Sequence, residues 1–318
     1  MSAVPNPTLR AGGSGLLQAV LAEIDQVVLG KATEVRLALA CLLAGGHLLI
    51  EDIPGVGKTT LAHALAQTLG LEFQRVQGTS DLLPADIIGV SVFERGEGAG
   101  GFRFHPGPVF SQVLLVDELN RAPPKSQSAL LEAMAEHQVS VDGVRRELPT
   151  PFFVLATQNP LDLVGTYPLP ESQLDRFMFC LSLGYPDADT EQRLLAGHGD
   201  LTAMPTARPV LTPVQVLAAM AEARAITVRP ALVAYVQALL QASRDHAEVR
   251  LGLSPRAGLA LIAAARAWAL LAGRDHVLPD DVQAVFVALA RHRLHPQAQS
   301  LQDGTALARQ LLAATAIP

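Results

Sequence analysis

The chain has 318 residues, 49% of them hydrophobic and 17% charged, with a formal net charge of −6. That length and apolar content suit one large or two ordinary domains with a substantial core. The negative balance and the 4% aromatic content exclude a broad basic surface with stacking aromatics, though not a local nucleic-acid groove. Cys41 and Cys180 sit in separate apolar runs without metal or disulfide spacing, which predicts buried thiols in a reducing compartment. The start of the chain shows no leader pattern, and the apolar stretch 259–272 is interrupted by Arg266 and too short to span a bilayer. A soluble, cytoplasmic protein without membrane insertion is the expectation.

In chain order, residues 1–15 are rich in Pro, Gly and Ser and are expected to be disordered. Residues 47–50 are apolar and strand-like, and 58–69 are helix-like up to Gly70. Between them, a glycine-rich turn closing on Gly57-Lys58-Thr59 reads as a phosphate-binding loop. Gly55 and Gly57 let backbone N–H groups curl around an anion, and the helix beginning near Lys58 points its positive dipole end at the phosphates. Lys58 supplies a cation for the outer phosphates, and Thr59 a hydroxyl for Mg²⁺. One position departs from the pattern G-x-x-x-x-G-K-[ST]: the first glycine is Asp52.

A second strand is predicted at 72–77, followed by a hairpin whose arms, 90–94 and 102–105, flank the glycine-rich turn Gly96–Gly101. Val113–Val116 is a short apolar strand ending in Asp117-Glu118. Continuous apolar runs mark buried parallel strands, and acidic residues at their C-terminal ends fall where open α/β sheets bind ligands. Asp117 is expected to hold Mg²⁺ through its water shell, and Glu118 to polarise an attacking water. A helix over 125–138 leads into a second hairpin, 139–141 and 144–148, turning at Asp142-Gly143. Strands at 152–157 and 178–183 complete the sheet.

The chain divides near Tyr185-Pro186. Residues 16–185 form an α/β domain with a central parallel sheet and crossover helices. Residues 186–318 form an all-helical lid, with helices near 188–197, 212–225, 229–242, 255–271 and 279–292 and no strand. His47, His63 and His105 lack a paired ligand at helical or short-loop spacing and read as structural, and Trp268 lies at core-like spacing.

These residues carry a resemblance. The chain resembles the MoxR branch of AAA+ ATPases over nearly its whole length. The matching segments are Asp52-Ile-Pro-Gly-Val-Gly-Lys-Thr59, Leu82-Leu-Pro-Ala-Asp-Ile-Ile-Gly89 and Leu115-Val-Asp-Glu-Leu-Asn-Arg-Ala-Pro-Pro-Lys-Ser-Gln127. Ala156-Thr-Gln-Asn-Pro160, Gly165-Thr-Tyr-Pro-Leu-Pro-Glu-Ser-Gln-Leu-Asp-Arg-Phe177 and Leu253-Ser-Pro-Arg256 match as well. Asp52 in place of glycine is common in this branch.

The resemblance implies an AAA+ P-loop fold followed by a helical lid, and ATP with Mg²⁺ as cofactors. It implies nucleotide contacts from Val28, Leu29, Gly30 and Lys31 at the adenine ring, and from Asp52, Pro54, Gly55, Val56, Gly57, Lys58, Thr59 and Thr60 along the loop. Asn159 matches the first sensor, Arg176 the arginine finger, and Arg256 the second sensor, expected at the γ-phosphate of its own subunit. The resemblance further implies a hexameric ring, hydrolysis coupled to chaperone-like remodelling, and a partner with a von Willebrand factor A-type domain. A nucleic-acid-directed motor and a scaffold with negligible hydrolysis are the alternatives. Gln77 stands at the end of the second strand, where it either gates Glu118 or is a plain strand-end glutamine.

Overall fold

The computed structural model describes residues 13–95, 101–160, 165–198, 207–299 and 302–317. The segment 1–12 and the first hairpin's tip, 96–100, lie outside them.

Two helices that the pattern reading had not singled out come first: α1 (Gly13–Val27) and α2 (Ala32–Leu43). Gly13–Gly15, expected in the disordered start, belong to the first turn of α1. α1 buries Leu17, Val20 and Ile24, which recur at helical spacing. The α/β layer follows as β1 (Leu48–Glu51), α3 (Lys58–Thr68), β2 (Phe73–Gln77), α4 (Pro84–Ile88), β3 (Gly89–Glu94), β4 (Gly101–Pro106) and β5 (Val113–Asp117). It continues through α5 (Pro124–Glu136), β6 (Gln138–Val141), β7 (Val144–Glu147), β8 (Phe153–Gln158), α6 (Glu171–Leu174) and β9 (Phe179–Leu181).

The sheet has the order β2-β5-β8-β1-β9. Every pairing in it is parallel, so all five strands end on the same side. Alternate residues divide between two cores. Leu48, Ile50, Val113, Leu115, Phe153 and Leu155 face α1, α2, α3 and the lid helices. Leu49, Leu114, Val116, Val154 and Ala156 face α4 and α5. Burial on both faces is why these strands read as unbroken apolar runs. The edge strand β2 keeps only Val76 buried, which leaves Arg75 and Gln77 free to serve the site.

Both inserted hairpins form, β3 with β4 and β6 with β7, antiparallel throughout. Asp142 and Gly143 both take positive φ, the backbone that a two-residue hairpin turn requires. The first hairpin exposes Phe93 and Phe102, whose rings meet edge-to-face at 5.5 Å.

The lid holds α7 (Ala188–Arg193), α8 (Pro213–Ala225), α9 (Pro230–Asp245), β10 (Val249–Leu251), α10 (Pro255–Leu271), α11 (Pro279–Ala290), β11 (His295–Pro296) and α12 (Gly304–Ala314). At the start of α10 the Ser254 side chain accepts from the Ala257 N–H, with Pro255 in the first turn. The lid is not purely helical. β10 pairs with β11 across a register shift, a two-stranded ribbon too short to carry a periodic signal. α7 also stops at Arg193, and residues 194–198 continue as a π-turn rather than as α-helix.

Cys41 and Cys180 are buried. His47 is buried and bonded, its Nδ1 accepting from the Val154 N–H at 3.1 Å, and burial lowers its pKa to about 4. His105 pairs with Glu94 across the first hairpin at 2.9 Å, and His63 stacks edge-on with Phe73. Trp268 is half-buried, with the Arg36 guanidinium 4.2 Å above its ring. Among the described residues no helix is long and apolar enough to cross a membrane.

Candidate nucleotide site

The loop from Asp52 to Gly57 joins the C-terminal end of β1 to the N-terminus of α3. Gly55 and Gly57 have φ of +84° and +93°, and a Cβ at either would meet nothing within 4 Å. The glycines are therefore required by the left-handed backbone rather than by crowding in the loop itself. Lys58 Nζ donates to the Asp52 carbonyl at 2.7 Å and to the Ile53 carbonyl at 2.8 Å, so it lies folded over the loop. Burial lowers the Lys58 pKa, against the pull of Asp52, Asp117 and Glu118.

Asp52 is 6% exposed and its carboxylate turns away from the loop's mouth. Oδ2 accepts from the Gly184 N–H at 2.6 Å and from Ser182 Oγ at 3.1 Å, and Oδ1 from the Ile53 N–H at 2.9 Å. The residue that replaces the first glycine thus ties the base of the loop to the chain leaving β9. Asp52→Ala would leave buried donors unpaired, and is expected to lower stability by about 1–3 kcal/mol. Urea denaturation checks this, and an unchanged midpoint would contradict the anchoring role.

The acidic pair stands opposite, at the end of β5. Asp117 Oδ2 accepts from Arg75 Nε at 2.7 Å, and Oδ1 from Thr157 Oγ1 at 3.2 Å. Glu118 adopts a left-handed backbone, φ 53° and ψ 49°, with its N–H on Thr157 Oγ1 at 2.9 Å. Its Oε2 accepts from Gln77 Nε2 at 3.0 Å and pairs with Arg121 at 3.1 Å. Gln77 therefore does reach Glu118. Gly78 makes this register possible: a Cβ there would fall 2.2 Å from the Glu118 carbonyl.

Lys58, Thr59, Asp117, Glu118 and Asn159 all line one cavity of about 170 Å³ at the C-terminal ends of the strands, with Arg75 on its wall. Segment 28–31 lies elsewhere, against the start of the lid. Lys31 Nζ donates to the Tyr185 carbonyl at 2.9 Å, and Gly30, at φ +69°, backs onto Thr190 and Asp187. The Val28 side chain is buried in the core, Leu29 is half-buried, and Val56 packs against the same core. Pro54 is exposed at the loop, and Thr60 follows Thr59 in the first turn of α3.

Arg176 and Arg256 are not part of that cavity. They line a second one of about 180 Å³ together with Gly46, His47, Asp175 and Arg293. Gly46 and His47 precede β1, and Arg176 precedes β9, so this cavity lies at the N-terminal ends of the parallel strands. Arg176 Nη1 donates to the Leu131 carbonyl at 2.6 Å. Arg256 lines this second cavity and not the Lys58 cavity of its own chain. The first turn of α10 sets it beside Arg176, across the sheet from Lys58.

Sequence reasoning missed three groups that the structure makes central: Arg75, Thr157 and Arg293. A signal existed for two of them. Arg75 is a charge inside a strand, and Thr157 is a hydroxyl in an otherwise apolar run two residues before Asn159.

A glycine-turned anion loop facing a carboxylate pair on a neighbouring parallel strand, under a helical lid, defines a P-loop ATPase of the AAA class. The profile described as "ATPase family associated with various cellular activities (AAA)" matches residues 47–179, and the AAA lid domain profile matches 241–311. An uncharacterized protein of Bacillus subtilis, YeaC, is 43% identical over 95% of both chains. Chaperone MoxR1 of Mycobacterium tuberculosis is 40% identical, over 90% of this chain and 78% of the relative. The crystal structure of a candidate ATPase from Cytophaga hutchinsonii superposes with a TM-score of 0.88 at 34% identity, covering 96% of each chain. The chain belongs to the MoxR family of AAA+ ATPases. It binds nucleotide and is an ATPase.

Proposed function

We propose that the protein hydrolyses ATP at sites shared between neighbouring copies in a ring, and uses the cycle to remodel a protein partner. The observation that carries this reading is the position of Arg176 and Arg256 at the N-terminal ends of the strands. From there they cannot serve the Lys58 cavity of their own chain, whereas a neighbour presenting its strand ends would receive both. Planar, permanently charged guanidinium groups suit the spread charge of a phosphoryl-transfer transition state.

Within one chain the roles divide by chemistry. Lys58 leaves the Asp52 and Ile53 carbonyls to bind the outer phosphates, and the first N–H groups of α3 cradle them. Thr59 and Asp117 offer the hard oxygen donors that Mg²⁺ takes while keeping most of its waters, so the residues fit that ion, which would supply charge neutralisation between the phosphates. Arg75 must withdraw from Asp117 for this to happen. Glu118 accepts a proton from the attacking water, Asn159 orients it, and Gln77 holds the Glu118 carboxylate until the site fills. Lys58→Ala is expected to weaken nucleotide binding by about 1.5–3 kcal/mol, the worth of a charged hydrogen bond. Titration calorimetry reads it, and unchanged affinity would move the phosphates away from this loop.

A ring of six and a partner with a von Willebrand factor A-type domain follow from the family resemblance, and work in the cytoplasm from the composition. The name of the 40%-identical relative, Chaperone MoxR1, favours a protein substrate. So does the first hairpin, whose exposed Val90, Val92, Phe93 and Phe102 offer apolar surface beside Arg103, which is paired with Glu94. The test is turnover per subunit against protein concentration, with either duplex DNA or a candidate partner added. A rise with concentration and stimulation by protein are expected. Constant turnover down to demonstrably monomeric protein would overturn the shared site, and stimulation by DNA alone would overturn the protein-directed reading.

A further inference from the structure

The segment carrying Arg176 is gripped from the lid of its own chain. Arg293 lies in the turn after α11, with its side chain 7% exposed. Its Nε donates to Asp175 Oδ1 at 2.7 Å. Nη2 donates to the Phe177 carbonyl at 2.7 Å and the Asp175 carbonyl at 3.2 Å. Nη1 donates to the Met178 carbonyl at 2.9 Å and the Leu289 carbonyl at 2.5 Å. The neighbouring His292 adds a bond from Nε2 to the Phe177 carbonyl at 2.9 Å. Burial keeps that imidazole neutral, so Nε2 carries the proton in this contact.

A guanidinium has five N–H donors in a fixed fork. Here all five have acceptors, and four of those belong to residues 175–178. They bracket Arg176, whose own side chain has one hydrogen bond, to the Leu131 carbonyl. α6 ends at Leu174, so the carbonyls that follow it have no helical partner, and Arg293 satisfies them. With its donors spent inside the chain, Arg293 has none left for a phosphate, although it lines the same cavity as Arg176 and Arg256.

We infer that Arg293 is the positioning residue of the finger: it fixes the backbone on both sides of Arg176 to the lid, and so sets where that guanidinium stands before the neighbour's site. This rests on the reading of Arg176 as acting between chains. Because the grip comes from the lid, displacement of the turn after α11 moves the finger offered to the next copy. Arg291 of the same turn lies 3.8 Å from Glu51, the last residue of β1 before the phosphate loop. The turn therefore contacts both the strand that leads into the chain's own phosphate loop and the element it presents to the next.

The experiment is a complementation series in the full-length protein. Arg293→Lys keeps the charge but has three donors and no fork. It is expected to bind a fluorescent ATP analogue as tightly as the parent while turnover falls at least roughly tenfold, by analogy with other misplaced catalytic groups. Mixed with Glu118→Gln, it should regain turnover, because a Glu118 from one chain then meets a well-held finger from the other. Mixed with Arg176→Ala it should not, since both defects fall on the donated side. A role confined to lid stability would instead weaken nucleotide binding in the chain's own site and show no such pattern. Arg176→Ala mixed with Glu118→Gln is the control: if that pair fails to rescue, the shared-site reading falls and the inference with it. If the control rescues while Arg293→Lys keeps parental turnover, or rescues equally with both partners or with neither, the positioning role is overturned. Asp175→Asn, which weakens the same grip from the other side, is read in the same scheme should Arg293→Lys not fold.

Discussion

Replacing Arg176 by alanine is expected to lower ATP turnover by roughly 10³–10⁵-fold, the span measured when a finger arginine is withdrawn. Nucleotide affinity should stay near that of the parent, because Arg176 lies across the sheet from the Lys58 cavity of its own chain. The fold should also tolerate the change. The side chain has one hydrogen bond, to the Leu131 carbonyl, and such a bond contributes about 0.5–1.5 kcal/mol. Phosphate release under saturating ATP, measured beside equilibrium nucleotide binding, separates the two effects. A loss of affinity that matches the loss of turnover would mean that Arg176 holds ground-state nucleotide, and the division of the site between chains would have to be abandoned.

Glu118→Gln should stop chemistry while leaving nucleotide in place. Glutamine fills the same space and can keep the contact with Gln77, and it makes the same demand on a left-handed backbone, so folding should be unaffected. It cannot take a proton from water, and positioned general bases contribute about 10²–10⁴-fold. Turnover should therefore drop by at least about that factor, with nucleotide retained on a desalting column. If the variant instead releases nucleotide, Glu118 is holding the metal and Asp117 is the base. Parental turnover would remove Glu118 from the chemistry altogether.

Much of this site can be read from the sequence because its parts are local. A strand, two glycines, a lysine and a helix lie within residues 48–68, and Asp117-Glu118 closes a strand whose burial is written in its apolar run. The hairpin turning at Asp142-Gly143 is legible for the same reason, since few residues tolerate that backbone. What is not legible depends on distant neighbours. Asp52 looked like a tolerated departure from a glycine, and its role comes from Ser182 and Gly184, about 130 residues further on. The place of Arg256 is not legible either, because nothing near Leu253-Ser-Pro-Arg256 states where α10 will pack. α1 begins in a glycine-rich stretch of poor helix propensity and is held by the burial of Leu17, Val20 and Ile24, a tertiary effect that overrides the local one. The ribbon of β10 and β11 is held by pairing across more than forty residues, with too few positions to alternate.

The two cavities at opposite ends of the parallel strands also constrain how copies of the chain can associate. A two-fold pair brings the same patch of each molecule together, so the face that gives Arg176 would have to be the face that accepts it. With the proposed giver and receiver at opposite ends of the strands, no such two-fold pair would bring them together. Only head-to-tail contacts use both edges, and these close into rings when the rotation per copy divides a full turn and run on as helical filaments when it does not. Under the proposed sharing of Arg176, polarity would be built into the assembly: each copy would have one upstream and one downstream neighbour, and a defect in Arg176 would be felt in one direction only.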